Sequence, residues 1–549
     1  MMAAAIETDV VVVGAGPVGL TLANLLADLG VKTLLVDRAR TVSDEPRAIS
    51  ITDESLRVMH QIGIAERLAP EMLMDTGARY FGRKGQLLAE VRARQRRLGQ
   101  PAKSQFDQPV LARFLLDAAD ARPLVTVRFD TEARNAVSGK GFVDIELASD
   151  QGVQAVRCKW LVACDGGRSP TRTQLGIVLE GSTQVERWIV IDVMNSPHVP
   201  EPFSQFHCNG KRPCVIVPGV KGRCRYEFML LPGDDPDGVL EPESVIRLVA
   251  PYQTIEARDI RRAAVYMAQQ RIAQTYRKGR VLLAGDAAHL MPPFAGQGLN
   301  SGVRDAENLA WKLAALVRVE ASDALLDTYE QERRPHAAEM VRLSYRIGKV
   351  VMSTSPVATA LRDGAISALG IVPSAKAWIV GMKFLRQPHF IEGCVQTPSA
   401  RVPQAAADLV GKALAQPRVR ESDGAICWLD AVLGPEWSTL HFRPDGHIQA
   451  VRQGRAGQAG ASRVVDDLDG LFIDLHASGA VLLVRPDRYV AAAVASPDQL
   501  IDAFMALEHI LPGLGNAFVA DALRKPPVED ARHASWPALL NKSTQQFHH

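Results

Sequence analysis

The 549-residue chain contains no C-x-x-C pair, and none of its seven cysteines has a histidine partner at zinc-finger spacing. That excludes dithiol redox chemistry and a structural zinc site, and no metal is expected. An odd number of cysteines in a chain this long suits free thiols in a reducing compartment. No charge-free apolar stretch reaches the ~18 residues that a membrane span needs. The best candidate, Gly364 to Ala375, is short and contains Pro373. The N-terminus has no basic segment followed by an apolar run and a cleavage site, and it enters an apolar strand directly. A cytoplasmic protein without a membrane span is expected. Charge of one sign is also missing: 63 basic and 61 acidic residues give a net +2, so there is no electrostatic footprint for nucleic acid. The local run Arg92, Arg94, Arg96 and Arg97 reads as a solvated face.

What is present is an ordinary globular composition, 47% hydrophobic and 23% charged, in a chain long enough for roughly two to four domains. Asp9 to Val13 is a β-branched run that predicts a buried parallel strand. Gly14-Ala15-Gly16-Pro17-Val18-Gly19 comes directly after it. In such a turn the first glycine permits the sharp bend, the second lets a pyrophosphate approach the backbone, and the third lets the helix pack on the strand. Leu20, Ala23, Leu26 and Ala27 form a helical apolar stripe stopped at Gly30, and a second strand, Thr33 to Val36, delivers Asp37. An acid there accepts hydrogen bonds from a ribose hydroxyl. The unit binds a dinucleotide; alone it does not choose FAD over NAD.

Two later stretches carry the choice. Trp160 to Cys164 is a strand leading to Asp165-Gly166-Gly167-Arg168-Ser169 and Arg172. Val281 to Ala284 is another, delivering Gly285-Asp286 and His289, then Pro292-Pro293-Phe294-Ala295-Gly296-Gln297-Gly298-Leu299-Asn300 and a helix. A helix N-terminus aimed into a site favours negative charge, so residues 296–300 suit the pyrimidine edge of a reduced flavin.

These three motifs, in this order, resemble the single-component flavin-dependent aromatic hydroxylases, the group-A monooxygenases of the para-hydroxybenzoate hydroxylase fold. Pro46-Arg47-Ala48 is similar to the family's flavin-contacting arginine, Gln108-Pro109 to its flavin-contacting glutamine, and Tyr329 to Pro335 to the helix end after its flavin domain. Phe206 to Pro213 and Tyr226 to Gly233 resemble the 3-(3-hydroxyphenyl)propionate hydroxylase-like subgroup, although His207-Cys208-Asn209 departs from the pattern. The resemblance implies FAD, with NADH or NADPH as co-substrate, and hydroxylation of a small phenolic substrate by O₂ through a C4a-hydroperoxyflavin. It implies a cofactor set of Gly14, Gly16, Pro17, Gly19, Asp37, Arg38, Arg47, Gln108, Asp165, Gly285, Asp286, Pro293, Gly296, Gly298, Leu299 and Asn300. Asp165 belongs to a motif that serves the nicotinamide dinucleotide as well as FAD, and no second glycine fingerprint opens a separate nicotinamide domain.

A base for the phenol would raise its nucleophilicity. The candidates are His207, Tyr226 and Arg225, with His289 read as holding the turn before Pro292. Arg223 and Arg225 alternate as on the solvent face of a strand.

The expected fold is α/β: a discontinuous Rossmann-like FAD domain (1–180 and 268–345), a substrate-binding sheet (181–267, with 76–99 as a contributor), a helical connection (346–399) and a thioredoxin-like C-terminal domain (400–549). In that last domain Thr439 to Phe442 and Phe472 to Leu475 read as strands, residues 480–491 as a hairpin turning at Pro486-Asp487, Pro497 to Leu507 as a helix, and Gln545 to His549 as a frayed tail. Without C-x-x-C its role would be packing or homodimer contacts. Two other functions share the motifs: an FAD-dependent reductase or dehydrogenase that never activates oxygen, and a non-catalytic flavin-binding protein.

Overall fold

The computed structural model describes residues 6–93, 96–196, 201–318, 320–454, 460–512 and 514. The expected tail at Gln545 to His549 and Arg94 of the basic run lie outside them.

The N-terminal strand Ile6–Val13 is central to a parallel array, in the order Val281–Leu283, Gly152–Ala163, Ile6–Val13, Thr33–Val36, Val125–Arg128. Its four valines are almost wholly buried, as a strand covered on both faces requires. The helix Pro17–Asp28 covers one face with Leu20, Leu22, Ala23 and Leu26. Strand register brings the motifs level: Val13 pairs with both Val36 and Ala163, and Ala163 pairs with Leu283. All three motifs therefore leave the sheet at one carboxyl edge, where open α/β sheets bind ligands.

A second, eight-stranded sheet runs His289–Leu290, Ile260–Ala273, Leu179–Val193, Cys224–Met229, Cys214–Pro218, Phe203–His207, Gly77–Phe81, Leu87–Val91. Residues 77–91 thus supply two of its strands. Ile189, Ile191, Tyr226 and Phe228 pack outward against the helix Pro242–Val249, while Trp188, Phe206, Val215 and Met229 face the opposite side. A short ribbon, Ser50–Thr52 with Lys103–Gln105, bridges the two layers.

The helix Asp327–Met352 does not end at Pro335, as the sequence pattern suggested, but runs through it. A proline inside a helix costs ~3 kcal/mol. Polar contacts of the preceding residues hold it, Arg333 to Asp305 at 2.9 Å and Arg334 to the Ala273 carbonyl at 3.0 Å. Helices Pro356–Leu369 and Pro373–Val380 come next, and no helix of the described residues is long and apolar enough to cross a membrane.

The C-terminal unit is a seven-stranded sheet whose described ladders are all antiparallel. Its hairpin, Val481–Val484 with Val490–Val494, and the helix Leu500–Leu507 match the sequence reading. Phe472 to Leu475 is not a strand: Ile473–His476 is a helical turn, started where the Phe472 N–H donates to the Asp467 carboxylate at 2.9 Å. One face of the sheet has its own core, and the other joins the core of the first, parallel sheet, with Trp437 edge-on to Trp311 at 5.6 Å. The hairpin turn also drives charge into that boundary. Arg485 is fully buried between Glu332 (2.8 Å) and Asp487 (2.6 Å), and Lys312 completes the group at 2.8 Å from Glu332.

Candidate active site

At the carboxyl edge the backbone is too crowded for side chains at two glycines. A Cβ on Gly14, at φ +108°, would lie 2.4 Å from the Cys164 carbonyl oxygen, and one on Gly19 would lie 2.0 Å from the Gly14 oxygen. Gly16 is different: nothing stands within 4 Å of its missing Cβ. It caps the first helix with no side-chain hydrogen bond, so the first N–H groups of that helix are left for an anion in the open space beside it. Asp37 fixes the turn, accepting from Ala15 N at 2.7 Å and Ala39 N at 2.8 Å, and still lines the cavity with Pro17 and Arg38. A carboxylate has about four lone-pair sites, so both oxygens keep accepting capacity.

Asp165 accepts from Thr171 N through Oδ2 at 3.1 Å, while its buried Oδ1 has no hydrogen-bond partner among the described residues. Arg172 donates to the carbonyls of Gly167 and Ala287, both at 3.0 Å, and so ties the second motif to the third. Behind the wall Asp305 is a hub: it accepts from Gly285 N at 3.0 Å and contacts His289 Nε2 at 2.7 Å and Arg333 at 2.9 Å. Burial would raise its carboxyl, but His289 and Arg333 together hold it low. Asp286, enclosed by protein yet open to the cavity, is pushed up by burial.

Arg47, Gln108, Pro293, Gly296, Gly298 and Leu299 line the same cavity. Gln108 Oε1 holds the Arg47 loop by accepting from Ala48 N at 2.7 Å. Gly19, Gly285 and Asn300 do not reach it. Asn300 is wholly buried; its Oδ1 accepts from Thr52 N at 2.9 Å and from Ser55 Oγ at 2.8 Å, so it anchors the bridging ribbon instead.

The cavity, about 940 Å³, is near the upper end of the ~300–1,000 Å³ usual for small-molecule sites and continues past Gly296 and Gly298 to the second sheet. There Val190, Phe206, Val215, Val217, Tyr266 and Phe294 give an apolar and aromatic wall, interrupted by the charged side chains Arg225, Glu227 and Arg262. Strand alternation decides which candidates reach it. Phe206 does, so His207 points outward, stacked on Phe81 at 4.9 Å, and burial lowers its pKa. Tyr226 likewise faces out, donating to Gln253 Oε1 at 2.8 Å. Neither lines the cavity. Arg225 does, but it is not on a solvent face: it is 5% exposed and bound to Asp192 at 2.6 Å. Arg223 is mostly buried against Asp107.

Sequence reasoning missed Asp192, Glu227 and Tyr266. Glu227, two residues beyond Arg225, shares its face; Tyr266 OH donates to it at 3.5 Å, and burial raises its carboxyl. The i, i+2 spacing from Arg225 was the available signal.

The unpartnered Asp165 Oδ1, the uncapped helix and the open Gly16 fit a dinucleotide with a pyrophosphate. A family model described as the FAD binding domain matches residues 7–344. The chain belongs to this family, as one of its FAD-dependent aromatic hydroxylases. It is 37% identical to the 3-(3-hydroxy-phenyl)propionate/3-hydroxycinnamic acid hydroxylase of Mycolicibacterium smegmatis, over 94% of this chain and 96% of the relative. It is 36% identical to hydroxylase 2 of the same description from Burkholderia vietnamiensis, over 88% and 93%. Among solved structures, anhydrotetracycline hydroxylase from Streptomyces rimosus aligns with a TM-score of 0.70 at 26% identity, over 92% of this chain and 99% of that one.

Proposed function

We propose that this hydroxylase acts on a phenol bearing an acidic side chain, of the 3-(3-hydroxyphenyl)propionate class, with NADH or NADPH as reductant. The observation that carries the reading is the single cavity joining the dinucleotide edge to an aromatic-lined pocket. Bound FAD supplies hydride acceptance and oxygen activation; the protein supplies orientation and exclusion of water. Gly16 and the first helix would hold the pyrophosphate, Asp37 the adenosine ribose, and Asp286 the ribityl side. Arg47, Gln108 and the N-terminus of the helix Gly298–Val317 would serve the ring end. Phe206, Val217 and Phe294 would clamp the aromatic ring. Glu227 with Tyr266, rather than His207 or Tyr226, would exchange the phenolic proton.

The thioredoxin-like reading of 400–549 rests on its closing hairpin and helix, with packing as its role. A homodimer is supported by exposed Val357, Leu361 and Trp378 on the helices after Met352, and Ile371 in the turn between them. The cytoplasmic assignment is supported by the unpaired cysteines. Purified protein given NADH or NADPH, ¹⁸O₂ and a panel of hydroxyphenyl acids tests the function. A product heavier by one labelled oxygen is expected; reductant oxidation that never modifies the ring would overturn it.

A further inference from the structure

The ring end of the cavity is rich in cations, and most are already answered by the protein. Arg47 faces Glu45 at 3.1 Å, Arg225 faces Asp192 at 2.6 Å, and Arg262 lies 3.6 Å from Glu45. Lys103 lines the same cavity, and among the described residues no carboxylate pairs with it. Its place is set by the bridging ribbon. Lys103 pairs with Thr52 and Gln105 with Ser50, so these four side chains share one face, while Ser104 and Ile51 are buried on the other. The shared face borders both layers: Thr52 Oγ1 donates to Asn300 Oδ1 at 3.2 Å, while Gln105 Nε2 donates to Ser204 Oγ of the substrate-side sheet at 2.7 Å, and both Ser204 and Ser50 line the cavity. The Lys103 carbonyl accepts from Thr76 N at 2.8 Å, immediately before the strand Gly77–Phe81 of that sheet. Lys103 is thus tied through its backbone to the second sheet, whose strands form the substrate-side wall of the cavity.

A half-buried ammonium without a counter-charge favours an anion brought in by the ligand. We propose that Lys103 is the specificity residue that binds the side-chain carboxylate of the acidic phenol. The inference rests on the function proposed above. Burial alone lowers Lys103 to about 8, so its charge is held weakly until an anion arrives.

The test is binding to the oxidised FAD-loaded enzyme without reductant, by calorimetry and by perturbation of the flavin spectrum. The probes are 3-(3-hydroxyphenyl)propionate and its uncharged amide. In Lys103→Met the acid should bind roughly 10- to 100-fold more weakly, the loss expected for one charge-assisted hydrogen bond. Amide affinity and FAD content should stay as in the unaltered enzyme, and Lys103→Arg should recover part of the acid affinity. For the unaltered enzyme, acid affinity should fall as pH passes about 8 while amide affinity does not. Equal losses for acid and amide, or loss of FAD, would overturn the assignment and make Lys103 a packing or flavin residue. If the unaltered enzyme binds neither probe, the proposed substrate class fails instead. If it binds and hydroxylates the acid and Lys103→Met does so equally well, only the lysine assignment fails.

Discussion

The guanidinium of Arg225, on the second sheet, donates to the main-chain carbonyl of Arg47, on the loop that lines the same cavity, at 2.7 Å. The same guanidinium is locked to Asp192 by contacts of 2.6 and 3.1 Å. Removing one partner of a buried ion pair costs ~3–5 kcal/mol because the other charge is stranded. Arg225→Met should therefore lower Tm and weaken FAD retention together. Adding Asp192→Asn should recover Tm while the Arg47 loop stays loose and FAD retention stays poor. Thermal melts and flavin absorbance after gel filtration read the two effects separately; a single variant with unchanged Tm and full flavin would refute the coupling.

The glycines of the first turn should fail in different ways. Gly19→Ala drives a methyl group into the Gly14 carbonyl and should destabilise the whole domain. Gly16→Ala meets no protein atom, so the protein should fold with nearly unaltered Tm and lose FAD affinity. Matched Tm and flavin titrations distinguish them; a Gly16 variant that melts as early as the Gly19 variant would count against an open cradle.

Glu227 should carry the proton chemistry of the pocket. Its replacement by Gln should keep FAD and substrate affinity while slowing turnover by roughly 10²-fold, the low end for a general acid–base group. Burial raises the Glu227 carboxyl above the usual ~4.3, so turnover of the unaltered enzyme should fall as pH drops through that raised value. The variant should lack this acidic limb. A limb that survives the substitution would move the role to another residue.

Opposed carboxylates shape the pH dependence of stability. Burial alone would raise Glu332, but Arg485 and Lys312 reverse it and hold it at about 2. Its stabilisation is complete above the unfolded value of ~4.3 and is lost as pH falls toward 2. Glu307 is pushed up to about 8 by burial, then by Asp487. Ionising it destabilises the fold, so stability falls as pH rises between ~4.3 and 8. Glu307→Gln should raise Tm at about pH 8 by several degrees and far less at about pH 5. An equal gain at both pH values would show that the carboxyl does not titrate across this window.

Much of the cofactor edge was legible because its information is local. Strand, glycine turn, helix and terminal acid succeed one another within about thirty residues, and each glycine answers a backbone requirement. The pocket was not legible in that way. Asp192, Arg225 and Arg47 meet only through the register of two strands and a loop taken from distant parts of the chain. The face on which His207 and Tyr226 lie was open to an alternation argument, but choosing the inner face needed the position of the helix Pro242–Val249. Phe472 to Leu475 reads as a strand by composition, yet a helical turn forms there, with the Phe472 N–H donating to the Asp467 carboxylate at its start. Lys103 had no signal at all, since the meaning of an isolated lysine depends on the absence of an acid around it.

The cluster of Glu332, Lys312 and Arg485 also sets an order of events during synthesis. Arg485 lies 153 residues beyond Glu332. At ~5–20 residues per second, Glu332 and Lys312 wait roughly 8 to 30 s for the cation that completes their pairing. During that interval the flavin-binding half can collapse around its sheet, but the ion group between its two long helices stays open. The hairpin Val481–Val494 therefore acts as a closing bolt, and a ribosome that stops short of it releases a flavin domain whose buried Glu332–Lys312 pair lacks its second cation.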